Sequence, residues 1–193
     1  MKIVFATNNP NKLAEIRQLM PKRIEILSLK DINCFEELPE TSDTLEDNAG
    51  QKAFYVFDNY GHNCFADDTG LEIDALDGRP GVYSARYAGL ECKQEDNIQK
   101  ILLEMKEEIN RDASFRTIIS LVIDGKEFQF EGEVEGQIIP EKWGEKGFGY
   151  DPIFLADGHE KSFAQMSMEE KGAISHRGIA VKKLIQFLDK RVK

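Results

Sequence analysis

The sequence predicts an α/β protein with a mixed sheet, and three stretches carry that prediction. Lys2 to Thr7, Asn11 to Met20 and Ile24 to Leu29 read as strand, helix and strand, an opening β-α-β unit. Phe115 to Ile123 and the alternating Phe128, Phe130, Gly132 and Val134 flank Asp124-Gly125, the pattern of an antiparallel hairpin. From Glu91 to Ile109, the residues Ile98, Ile101, Leu102, Met105 and Ile109 recur at helical spacing and predict a long amphipathic helix.

In chain order, KIVFAT has the apolar, β-branched content of a buried strand, and Asn8, Asn9 and Pro10 break it. The helix that follows places Leu13, Ile16, Leu19 and Met20 on one face. A second helix is predicted from Thr44 to Tyr60, where Leu45, Ala49, Ala53, Val56, Phe57 and Tyr60 form a stripe. Cys64 to Ala66 reads as a short strand that stops in two adjacent acids, Asp67 and Asp68. Neighbouring side chains on a strand point apart unless the chain turns, which Thr69-Gly70 permits. After the hairpin and Ile153-Phe154, a short helix is predicted near Gln165 to Lys171. A longer one, Ser175 to Lys190, would bury Ile179, Leu184, Phe187 and Leu188.

The 193 residues suit one domain, or one domain with two lobes, and no Pro/Ser-rich linker or repeat divides them. With 25 basic and 35 acidic residues the formal charge is −10, which argues against broad binding to DNA or RNA. A small anion could still bind through a local cluster of Lys and Arg. Cys34, Cys64 and Cys92 show no CxxC or Cys/His pairing, so neither a disulfide framework nor a zinc site is suggested. MKIVFATNNPNK has too short an apolar run for a secretory signal, and no stretch is long enough to cross a bilayer, so a soluble, cytoplasmic protein is expected.

Several groups could carry chemistry, and each has a plainer reading beside it. Thr7 to Lys12 lies between a strand and a helix N-terminus, where free amides and the helix dipole favour an anion; taken alone, the same residues read more readily as an Asn-rich cap with a surface lysine. Asp67-Asp68 is either a cation site or a solvated acidic turn. Glu40, in Pro39-Glu40-Thr41, and Glu46-Asp47 add carboxylates, and oxygen-only sets suit Mg²⁺ or Mn²⁺ better than zinc. At a helix start, however, Glu46 and Asp47 also simply complement the macrodipole. Lys52 is by itself an ordinary helix lysine. Gly147 to Pro152, GFGYDP, lets backbone and ring approach a flat ligand, or anchors an aromatic turn. Lys171 and Ser175-His176-Arg177 bring three donors to the last helix, and nothing marks Ser175 as a nucleophile.

Taken in order, TNNPNK, PET with EDNAGQKA, FADDTGLEIDALDGRPGVYSARYAG, GFGYDPIF and EEKGAISHRGIA resemble the inosine triphosphate pyrophosphatases from the first strand to the last helix. The resemblance implies a two-lobed fold with a long mixed sheet flanked by helices and a cleft between the lobes, residues 1–193 forming one such domain. It also implies a Mg²⁺-dependent homodimer that converts ITP, dITP or XTP to the monophosphate and pyrophosphate, clearing them from the nucleotide pool. Carried over by motif, Thr7, Asn8, Asn9, Pro10, Asn11 and Lys12 would hold the triphosphate with help from Lys52. Glu40 and Asp68 would bind Mg²⁺, Asp68 would also accept the proton of the attacking water, and Thr69 would contact substrate. Phe148, Gly149, Tyr150, Asp151, Lys171, His176 and Arg177 match positions that bind the base and the rest of the nucleotide.

That assignment makes chemical sense. Cleavage between the α and β phosphates requires a water, a base for its proton and positive charge on the departing pyrophosphate. Arg177 is donor-only and His176 can donate, so a 6-oxo purine is a suitable acceptor, whereas adenine would turn a 6-amino donor toward them. The chain departs from the family pattern at Ser42-Asp43, Asp47, Trp143 and Gly172. The alternatives are a related pyrophosphatase with another base preference, a catalytically silent nucleotide-binding module, and an aspartyl-nucleophile phosphatase, which would release inorganic phosphate.

Overall fold

The structure, a computed structural model, describes residues 1–191. Its strands are β1 (Lys2–Phe5), β2 (Glu25–Leu27), β3 (Cys64–Ile73), β4 (Pro80–Gly81), β5 (Asp112–Ile123), β6 (Lys126–Ile138) and β7 (Phe154–Ala156). The helices are α1 (Pro10–Leu19), α2 (Leu45–Tyr60), α3 (Gln94–Glu104), α4 (Met168–Ile174) and α5 (His176–Arg191). The strands follow the order β2-β1-β3-β5-β6-β7, with β4 paired to β3. β1 is parallel to β2 and β3, whereas β4 on β3 and β7 on β6 are antiparallel, so the sheet is mixed. Among the described residues no helix is long and apolar enough to cross a membrane.

Local chemistry sets the element ends. Asn9 caps α1 with Pro10 at its first position, and Thr44 caps α2, which closes at Gly61 with φ of 68°. Asp124 and Gly125 both take positive φ, 51° and 73°, the two-residue turn that joins β5 to β6.

The chain divides into two compact units. The first comprises Met1–Asp68, Thr117–Gly132 and the chain from Arg177 onward. Alternation along its strands sorts side chains into two cores. Ile3, Phe5, Phe65, Ile119, Leu121 and Ile123 pack with Ile16 of α1 and with Ala180, Val181, Leu184 and Leu188 of α5. Val4, Ala6, Cys64, Ala66 and Val122 face the other way, onto Ala53 and Val56 of α2. Burying Leu184 and Leu188 alone contributes about 3–6 kcal/mol, comparable with the net stability of a small domain.

The second unit comprises Thr69–Arg116 and Glu133–His176. Its single core gathers Leu71 and Ile73 of β3, Ile98 and Ile101 of α3, Phe115 of β5, Ile138 of β6 and Phe154 of β7.

Several elements differ from expectation. β3 runs on through the acids to Ile73 instead of stopping at Ala66. α3 ends at Glu104, short of the predicted Ile109, which is 97% exposed. There the Arg111 guanidinium donates to the Met105 carbonyl at 2.9 Å and to the Ile138 carbonyl, capping the helix and starting β5. The short helix predicted from Gln165 begins at Met168, because Ser167 and Glu170 form a capping box. In α5, Ala180 and Val181 take buried places while Ile179 and Phe187 are only partly covered.

Candidate active site

In β3 Phe65 faces α1 and α5, and Ala66 faces α2. Two-residue alternation therefore sends Asp67 toward α1 and α5, and Asp68 toward α2. The contacts obey that parity. Asp67 Oδ1 accepts from Lys12 Nζ and its Oδ2 from Arg177 Nε, both at 3.1 Å, while Asp68 Oδ1 accepts from Lys52 Nζ at 3.0 Å. The acids sit in an unbroken strand and point apart, which corrects the reading of Thr69-Gly70 as a turn. Gly70 is needed for another reason: a Cβ there would stand 2.9 Å from the Gly81 carbonyl oxygen of β4.

Electrostatics make the two acids unequal. Burial alone would raise the pKa of Asp67, but Lys12, Arg177 and Lys52 outweigh it and hold the carboxyl well below the usual range. At Asp68 burial prevails over Lys52 and Lys12, and the pKa is raised. Burial also lowers Lys12 against the pull of Asp67, whereas at Lys52 burial is overcome by Asp68 and Glu40 and the ammonium is more basic than usual. Asp67 is a fixed anion and Asp68 the stronger base.

Lys52 Nζ donates to Glu40 as well as to Asp68. The segment carrying Glu40 is clamped onto α2: the Thr41 amide donates to Gln51 Oε1 at 2.9 Å, and the Ser42 amide to Asn48 Oδ1 at 2.9 Å. Gln51 and Asn48 return bonds to Thr41 Oγ1 and the Ser42 carbonyl at 2.8 and 3.1 Å. That pairing explains why PET and EDNAGQKA occur together. Asp47, exposed in the first turn of α2, is positioned to complement the helix dipole.

At α1 the cap is closed. Asn9 Oδ1 accepts from the Asn11 and Lys12 amides at 2.9 and 3.3 Å, Pro10 has no N–H, and the Asn9 amide donates to Thr7 Oγ1 at 3.2 Å. The Asn9, Asn11 and Lys12 amides are thus engaged within the turn, and Lys12 supplies its full positive charge. Asn8 ties the turn to the segment before Glu40, accepting from the Leu38 amide and donating to the Glu36 carbonyl, both at 3.1 Å.

Arg177, 2% exposed, also donates from Nη1 to Glu15 Oε2 at 2.6 Å. Two of its donor groups thus serve carboxylates of this unit.

The second unit holds the other expected residues. Asp151 Oδ2 accepts from the Phe148 amide at 2.9 Å and from Lys171 Nζ at 2.6 Å. The Lys171 ammonium lies 4.9 Å from the Phe148 ring centre, close enough for a cation–π contact. Gly147 has φ of 74°, and a Cβ there would come 2.1 Å from Asp151 Oδ2, so only glycine allows the loop to close on that carboxylate. The Gly149 amide donates to Gln94 Oε1 at 2.9 Å, and Tyr150 Oη donates to the Ser84 carbonyl at 2.7 Å. Ser84 Oγ in turn accepts from the Leu71 amide at 2.9 Å. His176 is buried and stacks on Phe115 with ring centres 4.6 Å apart. Thr69, next to Asp68 in β3, is partly buried.

Glu15, Gln51, Gln94 and Ser84 were not anticipated. Only Glu15 left a usable signal, since it stands three residues from Lys12 on one helix face.

Glu40 and Asp68, both within reach of one ammonium, are an oxygen-only pair that fits Mg²⁺. Among the described residues no group of three His, Cys, Asp or Glu side chains forms a metal cage, so water and substrate oxygens would complete the shell, as is usual for this ion.

A family model described as the Ham1 family matches residues 3–187. A relative from Christiangramia forsetii, named dITP/XTP pyrophosphatase, is 57% identical over 98% of this chain and 100% of its own length. One of the same name from Flavobacterium johnsoniae is 54% identical, over 97% and 98%. The solved structure of the Ham1 protein of Staphylococcus aureus is 38% identical, covers 99% of this chain and 100% of its own, and superposes with a TM-score of 0.89.

Proposed function

The chain belongs to the Ham1 family, and from that premise we infer that it hydrolyses dITP, XTP and ITP to the nucleoside monophosphate and pyrophosphate. Near-full-length identity to relatives named dITP/XTP pyrophosphatase supports the substrate class. The observation that carries the chemistry is Asp68, a buried carboxylate of raised pKa bonded to Lys52.

Asp68 takes the proton of the water that attacks the α phosphorus, a task for which a raised pKa suits it better than Asp67. Lys12 and Lys52 offset the charge of the triphosphate and of the departing pyrophosphate. Mg²⁺, held by Glu40 and Asp68, would neutralise phosphate oxygens and make the α phosphorus more electrophilic. Thr7, Asn8, Asn9, Pro10 and Asn11 shape the turn from which Lys12 projects. Thr69, Phe148, Gly149, Tyr150, Asp151, Lys171 and His176 are assigned to the nucleoside, and Arg177 supports the phosphate end through Asp67. The Lys171 ammonium can only donate, which favours a 6-oxo purine over adenine. An unpaired buried donor costs about 1–3 kcal/mol, roughly one to two orders of magnitude in affinity.

The deciding experiment incubates the protein and Mg²⁺ with dITP, XTP, ITP, GTP, ATP and CTP and identifies both products. Monophosphate and pyrophosphate, formed fastest from dITP, XTP or ITP, are expected. Release of inorganic phosphate, equal use of ATP, or binding without turnover would each overturn the reading. We assign the activity to a cytoplasmic homodimer in which the whole chain works as one domain; light scattering should then give twice the 22.0 kDa chain mass.

A further inference from the structure

One half-buried carboxylate near Lys12, that of Glu15, has no part in the reaction as assigned. Glu15 Oε2 accepts from Arg177 Nη1 at 2.6 Å, Arg177 Nε donates to Asp67 Oδ2 at 3.1 Å, and Asp67 Oδ1 accepts from Lys12 Nζ at 3.1 Å. Four charges of alternating sign thus run from Glu15 to Lys12, with side-chain exposures of 14%, 2%, 0% and 15%. Both ends of the chain of contacts stand on α1, at positions i and i+3, so they share a helix face and reach different members of the same network.

We propose that Glu15 is a positioning residue for the pyrophosphatase reaction: by holding Arg177 it leaves one oxygen of Asp67 to Lys12, and so fixes the ammonium that receives the triphosphate. This rests on the assignment of Lys12 to the phosphates. The reasoning turns on a shared acceptor. A guanidinium can take both oxygens of one carboxylate at once. Deprived of Glu15, a buried Arg177 would lose one of its anions, and a buried charge left without compensation is strongly unfavourable. Turning its fork onto both oxygens of Asp67 restores the lost bond, at the expense of Lys12. Asp68, Lys52 and Glu40 lie on the α2 side of β3 and are not displaced by that move.

The test is a double-mutant cycle of Glu15→Gln and Lys12→Met, read as kcat and KM for dITP together with Tm. Glu15→Gln is expected to lower kcat/KM about ten- to hundredfold, the scale of coupling within one charge network. In the Lys12→Met background it should change kcat/KM less than about twofold, since neighbours acting through one group are not additive. Glu15→Asp, which keeps the charge, should recover part of the loss, whereas a merely structural role would lower Tm alike in both backgrounds and leave the kinetic effects multiplicative. Multiplicative effects, or normal kinetics in folded Glu15→Gln, overturn the proposal. If Glu15→Gln does not fold, Glu15→Ala, which likewise removes the carboxylate from Arg177, carries the same cycle with the same criteria. Wild-type protein is the control: failure to turn over dITP refutes the pyrophosphatase reading itself, whereas normal turnover with multiplicative effects refutes only the role of Glu15.

Discussion

Asp67→Asn and Asp68→Asn make the same atom swap at adjacent residues of β3, and the parity of the strand gives them different outcomes. The Asp67 side chain is 0% exposed and pairs with Lys12 and Arg177, whose side chains are 15% and 2% exposed. Removing one partner of a buried ion pair costs about 3–5 kcal/mol. Arg177 keeps Glu15, so the lower figure applies, and at about 2–4 °C per kcal/mol for a chain of this length Tm should fall by about 6–12 °C. Asp68 differs in both respects. Lys52 keeps Glu40 when Asp68 is neutral, and the raised pKa of Asp68 means that folding opposes its ionisation. A carboxyl of raised pKa contributes stability when protonated and loses that contribution as pH rises, so at pH 7 its removal sacrifices at most one hydrogen bond, about 0.5–1.5 kcal/mol. Melts followed by circular dichroism in EDTA at pH 7, with turnover measured separately in Mg²⁺, decide the matter. Asp68→Asn should melt near wild type and lose most activity. A Tm for Asp68→Asn as low as that of Asp67→Asn would refute the argument from strand parity, and near-normal turnover would refute the proton-acceptor role.

Gly136→Ala should weaken the β6–β7 pairing, because a Cβ there would meet the Leu155 carbonyl oxygen at 2.3 Å and Ala156 Cα at 2.9 Å. Overpacking of this kind costs about 1–3 kcal/mol, read as a lower urea midpoint at unchanged m-value. Iodoacetamide at pH 8 should label exposed Cys92 first; Cys64, whose thiol burial pushes up to about 12, and buried Cys34, also raised, should react only after unfolding, as counted by mass spectrometry. Glu36 accepts from the Tyr60 and Tyr55 hydroxyls at 2.5 and 3.1 Å and has a pKa of about 2, against an ordinary 4.5. Its contribution to stability is therefore present above its unfolded pKa and is lost as pH falls through about 2, and a carboxyl NMR titration centred near 4.5 would contradict this.

Local signals in the sequence located most of the fold. Thr44, Gly61 and the stripe between them define α2, and Asp124-Gly125 between two apolar runs defines the hairpin, since caps and turns act over a few residues. What failed depended on distant partners. Thr69-Gly70 has the composition of a turn, yet Gly70 is there for the close approach of Gly81. The helical stripe continued to Ile109, but Arg111 captures the Met105 carbonyl and ends α3 earlier. In the site, residue types pointed to Lys12, Lys52, Asp68 and Arg177, while their pairing stayed hidden: Glu15 and Arg177 are 162 residues apart. At TNNPNK the sequence allowed both available amides and an Asn-rich cap, and the Asn11 and Lys12 amides follow the second reading.

The first unit is assembled from three separated segments, and that fixes an order of events on the ribosome. α5 is translated after every other described element, and it brings Arg177 together with Ala180, Val181, Leu184 and Leu188. Until it emerges, Asp67 lacks the Arg177 guanidinium, and Ile3, Phe5 and Phe65 lack a large part of their cover. The growing chain thus carries its acids and lysines from an early stage but completes the charge network late. A message cut short before residue 177 therefore leaves apolar surface of the first unit exposed for chaperones and proteases to recognise.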